Sequence, residues 1–242
     1  MAVSDAGVCP LTVRRQVMRQ RWETLTFLHW SYEPAVVQRL LPPGLTVEPF
    51  EGRAYVGLIP FRMQVGLPGL PTPPWAGRFA ETNVRTYVTD HVGRRGIWFF
   101  SLDAARLGAV VTARTTYRLP YFWSRMTVSR QATRVTYEST RRWPGPHGTL
   151  SRVAIDVGPP LTQAELTERD HFLTARWTLF SAASGTVRRA DAEHEPWPLR
   201  RVQVRTVRDE LLGAAGLPTP THEPLAHFSD GVEVRIGPPQ SV

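Results

Sequence analysis

The sequence predicts a single α+β domain, dominated by a curled, mostly antiparallel β-sheet with a few short helices. Three observations predict this class. Period-two alternation is the dominant local pattern, helical segments are few, and no linker or repeat interrupts the chain after Trp22. A chain of 242 residues with 42% hydrophobic residues can bury a large core. We expect a flexible N-terminal tail over residues 1–20 and one domain over residues 21–242.

Period-two runs predict strands along most of the chain, since alternate side chains of a strand face opposite sides. The expected strands are 54–63, 81–88, 96–102, 134–140, 152–157, 172–180, 201–207 and 232–236. Their regular spacing favours a sheet that curls or closes. The expected helices are 34–41, with proline in its first turn, a helix capped by Asp103 that ends before Pro120, a short helix at 162–165 with capping-box spacing, and 208–215.

The composition restricts the chemistry more than the net charge of +8 does. All 29 basic residues are arginine, so the only primary amine of the chain is the α-amino group of Met1. No side chain can therefore form a Schiff base. The arginines are scattered in pairs rather than gathered into a basic block, which ranks nucleic-acid binding last among the hypotheses.

Other classes of protein are excluded by features that the sequence lacks. The single cysteine, Cys9, excludes an internal disulfide framework. No apolar run approaches the ~20 residues of a membrane helix, so no membrane partner is expected. The N-terminus lacks the basic start and apolar stretch of a secretory signal, which predicts a cytoplasmic location. No histidine spacing typical of a metal site and no nucleotide-binding motif occurs, so no metal and no cofactor are expected.

One strand places several polar side chains on a single face. Glu81, Asn83, Arg85 and Tyr87 alternate with Thr82, Val84, Thr86 and Val88 in the run Glu81-Thr-Asn-Val-Arg-Thr-Tyr-Val88. If the first face lined a cavity, its carboxylate, amide and guanidinium could hold and ionise a small polar molecule. A solvent-facing strand surface is the alternative interpretation.

The chain resembles a known family along nearly its whole length. Residues 81–126 are similar to the core of acetoacetate decarboxylase, whose stretch reads G-R-E-x-W-G-x-P-K-K. A broader resemblance, to the uncharacterised bacterial YqjF-like family of that superfamily, is carried in order by Phe27-Leu-His-Trp30, Leu40-Leu-Pro-Pro-Gly44, Val56-Gly-Leu-Ile-Pro-Phe-Arg62, the Glu81 run, Trp98-Phe-Phe-Ser-Leu-Asp103, Leu119-Pro-Tyr-Phe122, Glu193-His-Glu-Pro-Trp-Pro-Leu199 and Gly231-Val-Glu-Val-Arg-Ile236.

The resemblance implies a cone-like curled sheet that holds a ligand-sized cavity, with Glu81 directed into it. The two lysine positions of the decarboxylase fall on Tyr121 and Phe122, so the chain is not a Schiff-base decarboxylase. By the same alignment Glu81 is the candidate general acid/base and Tyr121 a hydrogen-bond donor to a carbonyl or enolate oxygen. Arg114 falls on the family's arginine and could bind a substrate carboxylate. A structural ion pair between Arg114 and Glu81 is the alternative.

Two functional hypotheses stay open at this point. The first is lysine-independent acid/base chemistry, of lyase or isomerase type, on an oxo-acid-type metabolite. The second is a non-catalytic protein that binds or senses a ligand in the same cavity. The expected partner is a small molecule, with a carboxylate as one candidate, and the resemblance also allows a homo-oligomer. Candidate binding residues, besides Arg114, are Asn83, Arg85, His29, Trp30 and Arg62. The proline-rich loop 66–77 is a candidate lid or a protein contact.

Overall fold

The computed structural model describes residues 7–70, 77–183 and 185–242, and β-strands dominate them. One 13-stranded sheet contains all the strands of this part of the chain. The strands are β1 (Met18–Tyr32), β2 (Leu45–Val47), β3 (Ala54–Gly66), β4 (Arg78–Asp90), β5 (Arg95–Ala104), β6 (Tyr121–Gln131), β7 (Arg134–Trp143), β8 (Leu150–Pro160), β9 (Thr178–Ala183), β10 (Thr186–His194), β11 (Leu199–Asp209), β12 (Leu225–Ile236) and β13 (Gln240–Ser241).

The sheet closes on itself twice, and the two closures share five strands. Strand β5 pairs with β4, β6 and β9, and β12 pairs with β1, β10 and β11. One ring consists of β1, β3, β4, β5, β9, β10 and β12. The other runs from β5 through β6, β7, β8 and β11 to β12 and closes through β1, β3 and β4. The pairs of β5 with β6 and β9 are parallel, and the remaining pairs are antiparallel, as the predicted mostly antiparallel sheet requires.

Strand β4 belongs to both rings and separates their interiors. The ring of seven strands is the smaller ring, and the ring that contains β6, β7, β8 and β11 is the larger ring. The even-numbered residues of β4 face the larger ring, where Val84 packs into the main apolar core with Leu58 of β3 and Ile155 of β8. Its odd-numbered residues from Glu81 to Arg85 face the smaller ring. Because both faces are buried, the strand tolerates polar groups only where they find partners or enclose a ligand.

Strand β1, which is buried on both faces from Leu25 to Trp30, was not predicted by the alternation pattern. It pairs with β3 on one side and β12 on the other, and a register shift interrupts its pairing with β3 between Glu23 and Leu28. At this irregularity Gly231 of β12, with φ +138°, approaches so closely that a Cβ there would lie 2.2 Å from the carbonyl oxygen of Trp22. Only glycine fits this position, because any side chain at residue 231 would collide with the backbone of Trp22.

The helices connect strands at the ends of the rings. They are α1 (Pro34–Gln38), α2 (Leu107–Thr116), α3 (Glu168–Thr174) and α4 (Leu211–Ala214), with a short 3-10 turn at Gln163–Glu165. The predicted capping box of Thr162 and Glu165 is confirmed at the 3-10 turn. In the described part of the chain, no helix has the length and apolar character needed to cross a membrane.

Three local predictions differ from the structure. Residues 172–180 are not one strand, because a second capping box at Thr167 and Asp170 starts α3, and β9 begins only at Thr178. The predicted helix over 208–215 is shorter because β11 continues to Asp209 before α4. Asp103 does not cap α2; it lies in β5 and its carboxylate is held by the buried guanidinium of Arg141.

The N-terminal segment joins the sheet earlier than the predicted boundary at residue 21. Strand β1 begins at Met18, and Val13 is buried, with its N–H donating to Oε2 of Glu193 at 2.7 Å. Residues 71–76, half of loop 66–77, lie outside the described residues. The role of this loop as a lid or contact stays a prediction.

Candidate functional site

The smaller ring encloses a cavity of about 450 Å³. Each of its seven strands contributes lining residues, and α2 covers one side. The walls are apolar over most of their area, and the buried polar row of the cavity comes from β4. Glu81, Asn83 and Arg85 all line the cavity and all are buried, so the cavity-lining interpretation of this strand face is the one the structure supports.

Glu81 lies beside Tyr121 inside the cavity. Strand β5 pairs with β4 on one edge and with β6 on the other, which brings Glu81 opposite Ala104 and Tyr121 opposite Leu102. The Tyr121 hydroxyl donates to Oε2 of Glu81 at 3.0 Å. The side chain that occupies the first lysine position of the decarboxylase motif therefore contacts the cavity carboxyl group directly.

The Glu81 carboxyl group is held in its neutral form at neutral pH. Burial raises its pKa from 4.5 to about 8 because the protein interior solvates the carboxylate poorly. The hydrogen bond from Tyr121 opposes this shift, and the charge of Asp103 adds to it. The pKa of Tyr121 is raised well above 10.0 by burial and by Glu81, so its hydroxyl keeps its proton.

Asn83 and Arg85 extend the polar row away from Glu81. The Oδ1 atom of Asn83 is buried and accepts no hydrogen bond from any described residue. Arg85 donates from Nη2 to the carbonyl of Leu173 at 3.3 Å, while its Nε is buried without a partner among these residues. No carboxylate of the described residues pairs with Arg85. A buried guanidinium without an ion-pair partner favours an anionic group of a ligand, and the unpaired amide oxygen, an acceptor, favours a hydrogen-bond donor such as a hydroxyl group.

A second layer of side chains holds Arg85 in place. Its guanidinium carbon lies 5.5 Å from the ring centre of Phe27 and 5.8 Å from that of Tyr87. The Tyr87 hydroxyl donates to the carbonyl of Leu173, which can only accept. Nε2 of His29, 2.6 Å from the same hydroxyl, must therefore carry the hydrogen. Burial lowers the pKa of His29 well below 6.5, so the imidazole is neutral.

A second buried guanidinium adds positive potential near this end of the cavity. Arg176 lies 5.1 Å over the ring of Tyr87 and pairs with Glu48 at 3.3 Å. Burial lowers its pKa to about 10, and the charge of Arg85 contributes to that shift. The cavity thus has an acid at one end of the row and a cationic environment at the other.

Arg114 does not reach the cavity, which corrects the expectation that it anchors a ligand carboxylate there. Its Nη1 donates to the backbone carbonyl of Tyr121 at 2.7 Å, and its guanidinium lies over the ring of Trp143 on the outer side of α2. It makes no ion pair with Glu81 either.

Phe122, at the second lysine position, points away from the cavity and lies under the guanidinium of Arg141, 3.6 Å from the ring centre.

Three further candidates lie outside the cavity. Trp30 faces the larger ring, where its indole donates to the carbonyl of His222 at 3.1 Å, because the even-numbered residues of β1 face that core from Leu28 onward, after the register shift. Arg62 is exposed and donates to the carbonyl of Val128. His29 is fully buried behind the cavity wall and acts only through Tyr87.

The sequence prediction missed most of the cavity wall. Trp22 and Leu25 of β1, Tyr117 of α2 and Arg189 of β10 line the cavity. Arg189 is held by Asp191, to which its Nη1 donates at 2.8 Å and 2.9 Å. The spacing of Arg189 and Asp191 on one face of a strand could have indicated this pair, whereas no local pattern identifies β1 as part of the same wall.

A closed sheet around an apolar cavity with a few buried polar groups defines a small-molecule binding protein. Comparison with known proteins identifies the family. Residues 19–233 match the family DUF2071, described as an uncharacterized conserved protein, and the chain belongs to this family. The uncharacterized protein YqjF of Bacillus subtilis (strain 168) is 31% identical over 223 residues, which cover 92% of this chain and 91% of YqjF.

Two solved structures share the fold. An acetoacetate decarboxylase-like enzyme from Sphingomonas wittichii RW1 superposes with a TM-score of 0.66 at 14% identity, over 96% of this chain and 95% of that enzyme. The enduracididine biosynthesis enzyme MppR, complexed with pyruvate, superposes with a TM-score of 0.63 at 12% identity, over 96% of this chain and 92% of MppR. These comparisons confirm the predicted family and the acetoacetate decarboxylase-like fold.

Proposed function

We propose that this protein binds an oxo acid in its cavity and transfers a proton at the carbon next to the carbonyl group. The polar row of β4 is the observation that carries this proposal. Its proton-transfer group, Glu81, stands at one end and the unpaired guanidinium of Arg85 at the other, with the unpaired amide oxygen of Asn83 between them. Arg85 would bind the ligand's carboxylate, for which its planar donors are suited.

In the proposed step, ionised Glu81 accepts the proton from the carbon. The electron pair of the broken C–H bond forms the C=C bond of an enolate, and the carbonyl pair moves to oxygen. Tyr121 is the proposed hydrogen-bond donor to that oxygen. Return of the proton from Glu81 to carbon completes the reaction, so no oxidant or reductant is needed. A pKa of about 8 suits a group that both accepts and returns a proton near neutral pH.

Two further observations support this ligand class and mechanism. The chain has no lysine, so chemistry on a carbonyl compound in this cavity cannot pass through a side-chain imine. MppR, which shares the fold, is complexed with pyruvate, an oxo acid.

The experiment is hydrogen–deuterium exchange at the carbon next to the carbonyl, followed by NMR in D₂O above the uncatalysed background. The probes are 5-oxohexanoate and 5-oxodecanoate, whose carbonyl group is separated from the carboxylate by three methylene groups, as the spacing of Arg85 and Glu81 requires. The wild type should accelerate exchange. Glu81→Gln should slow the catalysed rate by about 100-fold or more, because general base catalysis contributes at least that factor. Arg62→Gln, an exposed position outside the cavity, is the control and should leave the rate unchanged.

Two results would contradict the proposal. Exchange that survives Glu81→Gln would remove the residue from the chemistry. Tight binding of both probes with no exchange above background would assign the cavity to ligand binding or sensing instead.

A further inference from the structure

The cavity is much larger than a small oxo acid requires. Its volume of about 450 Å³ corresponds to roughly fifteen water-sized groups at about 30 Å³ each. A three-carbon oxo acid has about six non-hydrogen atoms, and would leave more than half of this space unfilled. The polar row that would hold the acid head group occupies only the β4 wall, so the remaining volume must contact the rest of the ligand.

The remaining walls are built to contact an apolar group. They come from four strands of the smaller ring, and their side chains are Trp22, Leu25, Ile59, Phe61, Phe79 and Phe99. The one indole N–H in this set donates to Oε1 of Gln20 at 2.8 Å, so Trp22 presents its ring without an unsatisfied donor. The polar atoms of a wholly polar ligand would find no hydrogen-bond partners on this surface. Such a ligand would therefore bind with much lower affinity.

The open end of the cavity is also apolar and lined by small side chains. The exposed lining residues are Leu67 after β3 and Gly108 and Thr112 on α2, whereas Glu81 and Arg85 are buried. A Cβ at Gly108 would meet no atom within 4 Å. Leu107 and Val111 flank these positions on the same helix and are exposed, so apolar surface surrounds the entrance. A ligand that entered with its head group first would leave its tail against this end.

We propose, resting on the proposed function, that the ligand is an oxo acid with a bulky apolar chain of about six to ten carbons. The carboxylate lies at Arg85 and the chain fills the aromatic wall and extends toward α2. Arg85 and Glu81 are four residues apart on β4, so the carbonyl group near Glu81 is several carbons away from the carboxylate. The chain supplies most of the affinity, because each buried methylene group strengthens binding by about fourfold.

The test is isothermal titration calorimetry of the Glu81→Gln variant with unbranched 5-oxo acids of six, seven, eight and ten carbons. Binding in this variant does not depend on turnover, so its outcome is separate from the exchange experiment above. The dissociation constant should fall by about fourfold per added methylene until the cavity is full. The same dissociation constant for all four probes would overturn the inference, even if the short acids exchange their protons.

Two variants on α2 test where the apolar chain of the ligand lies. Ala109→Phe adds volume on the cavity-lining side, and should weaken binding of the ten-carbon acid by at least tenfold while leaving the six-carbon acid unaffected. Val111→Phe, on the exposed side of the same helix, is the matched control and should change neither. If Ala109→Phe does not fold, Thr112→Leu tests the same wall with a smaller increase in volume. Equal weakening of short and long acids would contradict the placement of the chain.

Discussion

The Tyr121 hydroxyl donates a 3.0 Å hydrogen bond to the Glu81 carboxyl group across β5, which lies between their two strands. Burial raises the pKa of Glu81, and this hydrogen bond lowers it, so the value of about 8 reflects the balance of the two effects. Glu81 and Tyr121 are brought together by the pairing of β4 and β6 with β5. The protonation state of Glu81 therefore depends on the closure of the sheet.

The protonation of Glu81 makes the stability of the protein depend on pH. Between pH 4.5 and about 8 the folded protein keeps a proton that the unfolded chain has released. The stabilisation is therefore complete below pH 4.5 and is lost as the pH rises through 8, at roughly 1 kcal/mol of unfolding free energy per pH unit. Glu81→Gln should remove this slope, measured by urea unfolding at about pH 5, 7 and 9.

The difference between wild type and variant isolates Glu81 from other groups. His29 and His194, whose pKa is lowered by burial, titrate in both proteins and cancel in the comparison. Parallel stability curves for the two proteins would show that Glu81 has an ordinary pKa.

Tyr121→Phe should raise the pKa of Glu81 further. The substitution removes the hydrogen bond that lowers this pKa and leaves the burial that raises it. The infrared band of the protonated carboxyl group, identified by its loss in Glu81→Gln, should persist to higher pH in Tyr121→Phe. Tyr117→Phe alters a second tyrosine of the cavity wall that makes no hydrogen bond to Glu81 in the described structure, and should leave the midpoint unchanged. A lower midpoint in Tyr121→Phe would contradict the assigned donor.

Arg85, rather than Arg114, should control the binding of carboxylates. Hydrogen bonds to charged groups contribute about 1.5–3 kcal/mol, so Arg85→Gln should weaken binding of octanoate by about 10- to 100-fold in calorimetry. Arg114→Gln should leave the affinity within about twofold, because Arg114 contacts the backbone of Tyr121 from outside the cavity. The opposite ranking of the two variants would restore Arg114 as the carboxylate anchor.

The buried pair of Asp103 and Arg141 should be a large contributor to stability that depends on both partners. Nε and Nη2 of Arg141 donate to the two carboxylate oxygens at 3.1 Å and 2.6 Å, and Ser124 donates to one of them as well. Arg141→Met leaves a buried carboxylate without its cation and should cost about 3–5 kcal/mol in urea unfolding.

Arg152→Met provides the matched control for that prediction. Arg152 pairs with Glu138 at 3.4 Å, and both side chains are at least half exposed, so its loss should cost under about 1 kcal/mol. Similar losses for the two variants would mean that the interior around Asp103 admits enough water to solvate it.

The candidate site could be predicted only in part from the sequence. Alternation along β4 placed Glu81, Asn83 and Arg85 on one face, because the pleat of a strand is a local property. Arg114 was placed wrongly because the resemblance aligned a residue, while the direction of its side chain depends on how α2 packs against β6. The strand β1 was not among the expected strands, because both of its faces are buried from Leu25 to Trp30, which removes the alternation that predicts a strand.

The sequence by itself determined the chemistry that is available: a chain without lysine, and an acidic and a basic residue on one strand face. Only the tertiary structure decided which of these groups are enclosed together. The enclosure depends on pairings between distant residues, such as Ile97 with Leu179 and His194 with Val234. Such pairings bury Glu81 and raise its pKa, and no local pattern contains the information that they form.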